Sequence, residues 1–505
     1  MRFILGCFLF TMLWSTVIYG QKLPYKEGED RRTSWELTDI LAIPSGLMVH
    51  IFLDRPEKPR SMRLLLLDKN LSTIGETAFS LRRQGLDVQV EGVFYWQGQL
   101  NLLTSLYYPG PKRNHLILEQ FSLPNLEKKE AELIDEAYTP GLYRIPFGYS
   151  LSPDSSKLMC FAWSYPLPQD PARLSVVVYD REEGKLWERS YNLPFNNETL
   201  FLQSGQVSNS GKTYLLCENY EGRVSPDMII QEEDIRHYIL ALDPNSTDVR
   251  AVPLDAPDKV FIDIIHQTNQ EEVIYGMAFY KTKNRRLQEG IFLTRYDMKT
   301  DHLERYLIQI SKETYNGVYN LGDKESSFSP QRYGFESYIP GAIKIQKDGS
   351  LILYGEQYKM PTYEFSPFQY NDLLVVKLNP EYQLDWAHRI AKRQLGPLDK
   401  QDLFSVMSFE DEEGIYFLYN DHPANELVTR SVKKLRVFEG RLGKSVMWQI
   451  TPNGNLRYLS LPESLSSYGN AGMILPSKSW KIKGGDLLLV SNKTKQLLKL
   501  NWKNL

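Results

Sequence analysis

The chain is poor in cysteine, in net charge and in long apolar runs, and each shortage excludes something. Three cysteines in 505 residues cannot build the dense disulfide framework that small secreted domains use in place of a large core. With 59 basic against 62 acidic side chains the net charge is −3, which gives no electrostatic basis for binding nucleic acid. Beyond Gly20 no stretch approaches the roughly 18 apolar residues of a membrane-crossing helix, so the mature chain is not expected to span a membrane. Catalytic signatures are also missing. There is no G-x-S-x-G, no phosphate-cradling glycine loop and no D-x-D-x-D-G calcium loop. His50, His115, His237, His266, His302 and His388 occur singly, none in an H-E-x-x-H or i,i+4 arrangement. No cofactor and no metal is therefore expected.

What is present is apolar and aromatic. The composition is 42% hydrophobic, with 31 Tyr, 22 Phe and 9 Trp, enough to offset the ordering entropy that keeps polar chains disordered. Residues 1–20, MRFILGCFLFTMLWSTVIYG, have one basic residue, an apolar run and a small residue before Gln21. That is the order of a secretory signal, with a retained anchor as the rival. Cys7 comes too early for a lipoprotein box. The expected organisation is a signal peptide at 1–20 and a single domain at 21–505, outside the cytoplasm. Periplasmic and secreted or cell-surface locations both fit; the absence of a sorting domain after the last repeat leans toward the periplasm. Asn70, Asn197, Asn245 and Asn492 begin N-x-Ser/Thr sequons, relevant only in a host that glycosylates them.

An internal repeat carries most of the information. Short apolar runs ending in a turn residue recur as RLLLLDKN (63–70), HLILEQF (115–121), LSVVVYD (174–180), YILALDP (238–244), IFLTRYD (291–297), LLVVKLN (373–379), SVMWQIT (445–451) and KQLLKLN (495–501). Asp68 to Asn501 spans 433 residues in seven intervals of about 62. A second run precedes many of these after a tight polar turn: PSG before LMVHIFL, WQG before QLNLLTSL, NSGK before TYLLCEN, KDGS before LILYGEQY, EDEEG before IYFLYND and KGG before DLLLVSN. Gly, Asn and Asp supply the positive φ that short hairpins need. Runs rich in Val, Ile, Leu and Tyr are strands, and their continuous apolarity means that both faces are covered.

Doubled hairpins at constant period predict an all-β fold: a single β-propeller of eight four-stranded blades, seven being the alternative, closed by an N-terminal strand. SWELTDI (34–40) is the segment expected to supply that strand, as the outer strand of the final blade. Two β-sandwich domains are the competing architecture. Leu126–Tyr138 and Ala424–Phe438 are the two places where a turn or two of helix fits. Cys160 and Cys217 occupy equivalent strands of neighbouring repeats. Facing sheets lie about 10 Å apart and a disulfide needs Cα atoms within about 7 Å, so two buried free thiols are expected.

AIKIQKDGSLILYGEQY (342–358), NDLLVVKLNPEYQLDWAHRI (371–390) and IYFLYNDHPAN (415–425) resemble segments of secreted, propeller-like repeat proteins of Gram-negative bacteria. More loosely, YDREEGKLW (179–187) and KLNPEYQLDW (377–386) are similar to PQQ-like repeats. Such repeats occur in quinone-dependent dehydrogenases and in assembly scaffolds. The dehydrogenases usually carry adjacent cysteines, which this chain lacks, so the resemblance implies a non-redox propeller.

In a four-stranded blade the second-to-third-strand loops and the interblade segments emerge at one end. Here those are the long ones, and long loops on a rigid frame are where binding is expected. Tyr358, Tyr363, Phe365, Phe368 and Tyr370 cluster in one loop, Tyr315, Tyr319, Arg332, Tyr333 and Tyr338 in an interblade insertion, and Tyr143 with Arg144 in another. Aromatics with arginine suit a protein hot spot or a sugar-stacking platform; loops also use such residues to pack themselves down. Asp421-His422 ends a strand at the same end, as an acid/base or metal pair or as a plain turn. Basic residues gather at 281–286 and 430–441 and suit an anionic partner. The expected function is a binding or scaffolding propeller that takes a protein or polysaccharide partner, the alternative a polymer-acting hydrolase or lyase with its site in the central funnel.

Overall fold

A computed structural model describes residues 20–21, 36–43, 46–54, 60–68, 72–129, 131–138, 147–164, 171–196, 199–221, 232–261, 263–285, 287–311, 338–359, 367–396, 402–425, 435–459, 461, 473–482, 486–490 and 497–501. Within these the chain is nearly all strand, in eight antiparallel sheets. No helix among them is long and apolar enough to cross a membrane. Seven of the sheets are built from strands consecutive in the chain, and the eighth takes one strand from the N-terminal region. The first, for example, runs Glu36–Ala42, Met48–Leu53, Ser61–Leu67 and Thr73–Ser80, and the fourth runs Leu200–Val207, Thr213–Tyr220, Ile235–Leu242 and Val249–Pro253. The apolar runs that define the repeat are the third strands of the eight sheets, and the runs after the polar turns are second strands. The turns behave as their residues require: Gln97 and Gly98 take φ of 54° and 76°, Gly211 86° and Gly349 85°.

The chain divides into two compact units. One holds residues 28–393 and 427–435, the other 394–426 and 436–505 with the first 27. In the larger unit every successive pair of sheets shares a core. Val49, Ile51 and Leu64 of the first sheet meet Leu100, Leu102 and Phe121 of the second. Leu103 and Leu118 of the second meet Leu158 and Val177 of the third. Leu174 and Val176 of the third meet Leu215 and Leu240 of the fourth. Leu216 and Ile239 of the fourth meet Ile274 and Phe292 of the fifth, and Met277 and Leu293 of the fifth meet Leu353 and Leu374 of the sixth. In the smaller unit Leu418 and Met447 of the seventh sheet meet Leu487 and Leu489 of the eighth. Alternate residues of one strand thus serve opposite neighbours, as the side-chain period of two dictates, and this is why the strands read as unbroken apolar runs.

Three expectations are decided here. Cys160 and Cys217 are free and buried. Cys160 points toward the second sheet and Cys217, on the fourth, toward the third, so the third sheet lies between them. The segment expected as the final outer strand is instead the first strand of the first sheet, Glu36–Ala42, paired with Met48–Leu53. The fourth strand of the last sheet is an N-terminal segment, but an earlier one: Gly20 pairs with Leu498 and Gln21 with Leu497. The helical reading of 126–138 is also overturned. Glu132–Tyr138 is a strand on Arg113–Ser122, because Ile134 and Ala137 reach the core it shares with the third sheet.

Candidate functional site

The sixth sheet carries the loop in which the sequence concentrates aromatics. Its second strand Leu351–Lys359 and third strand Phe368–Leu378 are antiparallel, and the ladder places Tyr358 opposite Tyr370. A register shift between Glu356 and Tyr358 swings the end of the second strand, as a bulge does. The rings of Tyr358 and Tyr370 lie 5.1 Å apart at 46°, and that of Phe368 stacks 5.9 Å from Tyr358. The two tyrosines are half-buried, whereas Phe368 is 7% exposed. Phe368 is therefore packed and presents little of its ring to solvent. Burial raises the Tyr358 phenol and pushes that of Tyr370 up to about 12, with Tyr358 and Glu356 adding to the latter, so both remain neutral hydroxyls.

Four buried charges lie in the same sheet, one of them beside the Tyr370 ring. Lys392 is 0% exposed, its ammonium paired with Glu356 and 5.8 Å from the centre of the Tyr370 ring. Arg389, in the fourth strand Leu384–Ile390, donates from Nε to Asp372 Oδ2 at 2.7 Å and from a second guanidinium nitrogen to the same oxygen. The backbone N–H of Lys392 donates to Asp372 Oδ1 at 3.1 Å. Two acids and two bases cancel, which is the condition for charges to remain buried. The network ties second, third and fourth strands together at the root of the loop. Sequence reasoning missed it. Its signals were a Glu inside the apolar run LILYGEQY and an Asp immediately before LLVVKL.

The repeat places a related group in the fourth sheet. Counting five residues on from the second-strand residue that pairs with the end of the third strand (Thr213 with Leu242, Leu351 with Leu378) gives Glu218 and Glu356. Glu218 faces His237, 2% exposed, at 3.3 Å. In the seventh sheet the same count from Ile415 gives Asn420. Asn420 donates to the carbonyls of Leu403 and Ile474 at 2.9 and 2.8 Å and accepts from Ser445 at 2.8 Å.

Asp421 and His422 form a turn. Asp421 Oδ1 accepts from His422 N at 2.8 Å and Asn425 Nδ2 at 2.7 Å, while His422 Nδ1 accepts from Ala424 N at 3.1 Å, capping the short 3-10 turn Pro423–Asn425. A ring nitrogen that accepts carries no proton, and burial with the Arg436 charge lowers the imidazole's pKa. Part of the basic loop is neutralised: Arg285 reaches Glu289 at 3.1 Å and Lys259 the same carboxylate at 3.8 Å. Tyr338 is fully buried, its N–H donating to Gln288 at 2.8 Å. Tyr143, Arg144, Tyr315, Tyr319, Arg332, Tyr333, Tyr363 and Phe365 lie outside the described residues. Among those described, no group of three or more His, Cys, Asp or Glu is placed to hold a metal ion.

No protein-family model and no curated protein sequence matches the chain. Among solved structures it is similar to a cobalt-substituted apocarotenoid oxygenase from Synechocystis, at 10% identity over 85% of this chain and 91% of that one with a TM-score of 0.36. The β-propeller domain of the trilobed protease from Pyrococcus furiosus matches at 12% over 85% and 96%, TM-score 0.34. An α-L-arabinanase from Penicillium chrysogenum matches at 11% over 63% and 87%, TM-score 0.33. At these scores the likenesses carry no argument about activity, and the architecture rests on strand pairing and shared cores.

Proposed function

We propose that the eight sheets are the blades of one propeller latched by the Gly20–Gln21 strand, and that the chain works outside the cytoplasm as a binding or scaffolding protein. The loop end of the sixth blade captures a protein or glycan partner. One observation carries the reading: half-buried Tyr358 and Tyr370 pack together beside a neutral, buried network of Glu356, Asp372, Arg389 and Lys392, whose lysine lies against the Tyr370 ring. Aromatic faces held rigidly lose little entropy on binding, which is what hot spots and stacking platforms use. Tyr363 and Phe365, which follow Tyr358 in the sequence, are proposed to take part in the same capture.

The test compares the full chain with a Tyr358→Ala, Tyr363→Ala, Phe365→Ala variant on an array of oligosaccharides and in affinity capture from an envelope extract. Thermal unfolding of both controls for folding. Lost capture with an unchanged unfolding midpoint supports the proposal, and undiminished capture rejects it. Release of soluble fragments from a polysaccharide by the full chain moves the assignment to a hydrolase or lyase.

A further inference from the structure

His237 is the first conspicuous departure of the fourth sheet from the sixth. Where the sixth pins its second-strand glutamate with a lysine, the fourth uses an imidazole, which titrates near neutrality. The ring sits between two carboxylates. Nδ1 is hydrogen-bonded to Asp255 Oδ1 at 3.4 Å, whereas Nε2 lies 3.3 Å from Glu218 Oε1, at ion-pair distance but not aligned as a hydrogen bond. Glu218 also accepts from Gln203. Asp255 belongs to the crossover between Val249–Pro253 of the fourth sheet and Lys259–Phe261 of the fifth. That crossover is fastened to His237 by its backbone as well, Leu254 N donating to His237 O at 2.9 Å and His237 N to Asp255 Oδ2 at 3.3 Å. From the fifth sheet, Arg305 donates to the carbonyls of Pro253 and Leu254, and the Phe261 ring stands edge-on to the imidazole at 6.0 Å.

We infer that His237 is a proton-dependent clasp on the crossover between the fourth and fifth sheets: its doubly protonated ring holds Glu218 on one side and Asp255 on the other, and loss of one proton releases one of them. A neutral imidazole has one N–H and one lone pair, so with its N–H kept by the Asp255 hydrogen bond the ring no longer attracts Glu218 as an ion pair. The other ionisable groups around it are few. His266, on the fifth sheet, is held neutral by burial, with the His237 charge lowering it further. Tyr220 and Tyr238 are neutral phenols raised chiefly by burial, with Glu218 and Asp263 adding to the first and Asp255 and Glu221 to the second. Arg236 is occupied with Glu221 at 2.9 Å. Burial acts against the imidazolium, but Asp255 and then Glu218 outweigh it, and the His237 pKa is raised above 6.5. A raised value means that the clasp is fully closed below pH 6.5 and opens as pH rises through the folded-state value.

Hydrogen exchange of the full chain, followed by mass spectrometry from pH 6 to 9 and corrected for intrinsic rates, tests this. Protection of amides in 218–221, 235–238 and 254–256 is expected to fall with rising pH by roughly tenfold for each unit by which the folded value exceeds the unfolded one. The sixth-sheet amides at 356–358 and 389–392, pinned by lysine, are expected to stay flat. His237→Gln should abolish the pH dependence. Should that variant fail to fold, the wild-type comparison of the two sheets still decides: equal pH profiles, or a fourth sheet that is flat, overturn the inference.

Discussion

At the scale of single residues, the most consequential side chains are polar groups placed inside apolar strands. Lys392 is charged, completely buried and paired with Glu356. Removing one partner of such a pair leaves the other uncompensated, so Lys392→Met is expected to cost about 3–5 kcal/mol in denaturant unfolding. Lys392→Met with Glu356→Gln should recover most of that loss, since no unpaired charge is left. His50, in the second strand of the first sheet, is 0% exposed, and neither ring nitrogen has a hydrogen-bond partner. Burial drives its pKa down to about 3. Because the unfolded chain binds that proton at about pH 6.5 and the folded one does not, the contribution of His50 to stability is intact above pH 6.5 and is lost progressively as pH falls toward 3. His50→Leu is expected to raise stability and flatten the acid limb of a stability profile; an unchanged limb would count against this account. Cys160 and Cys217, with burial raising both thiols, are expected to resist an aromatic disulfide reagent until the chain is denatured.

At the scale of elements, strand identity was legible because two-sided burial leaves a simple trace. Gly355 shows what was less legible. It lies mid-strand in LILYGEQY, and a Cβ there would fall 2.2 Å from the Phe279 ring of the fifth sheet. Gly355→Ala is expected to destabilise by about 1–3 kcal/mol through overpacking, measured by the shift of the urea midpoint. Leu293→Ala, in the core shared by the same sheets, should cost about 2–5 kcal/mol. The segment 126–138 misled because Leu, Glu, Lys and Ala favour helix only weakly. Pairing with Arg113–Ser122 and the burial of Ile134 and Ala137 override that preference. For Asp421 and His422 the sequence left a turn and an acid/base or metal pair both open, and their hydrogen bonds are those of a turn.

At the scale of the whole molecule, the chain's two ends meet in one sheet. Gly20 and Gln21 extend the ladder of Leu497–Asn501. A chain beginning at residue 20 is expected to unfold at the same temperature as the full chain. One beginning at residue 36 should be less stable by about 1–2 kcal/mol, the worth of a few ladder hydrogen bonds; equal midpoints for both truncations would contradict the pairing. The sequence by itself determined the recurring second and third strands of the repeat, the positive-φ turns that open the second strands and the buried thiols. These follow from local rules: side-chain period, turn chemistry and the apolarity that double-sided burial demands. Tertiary structure alone decided which N-terminal segment completes the last sheet, that Phe368 is buried beside Tyr358, and that Glu356, Asp372, Arg389 and Lys392 neutralise one another. Pairing between residues distant in the chain depends on register and approach in three dimensions, and a pattern of residue types along one dimension does not encode it.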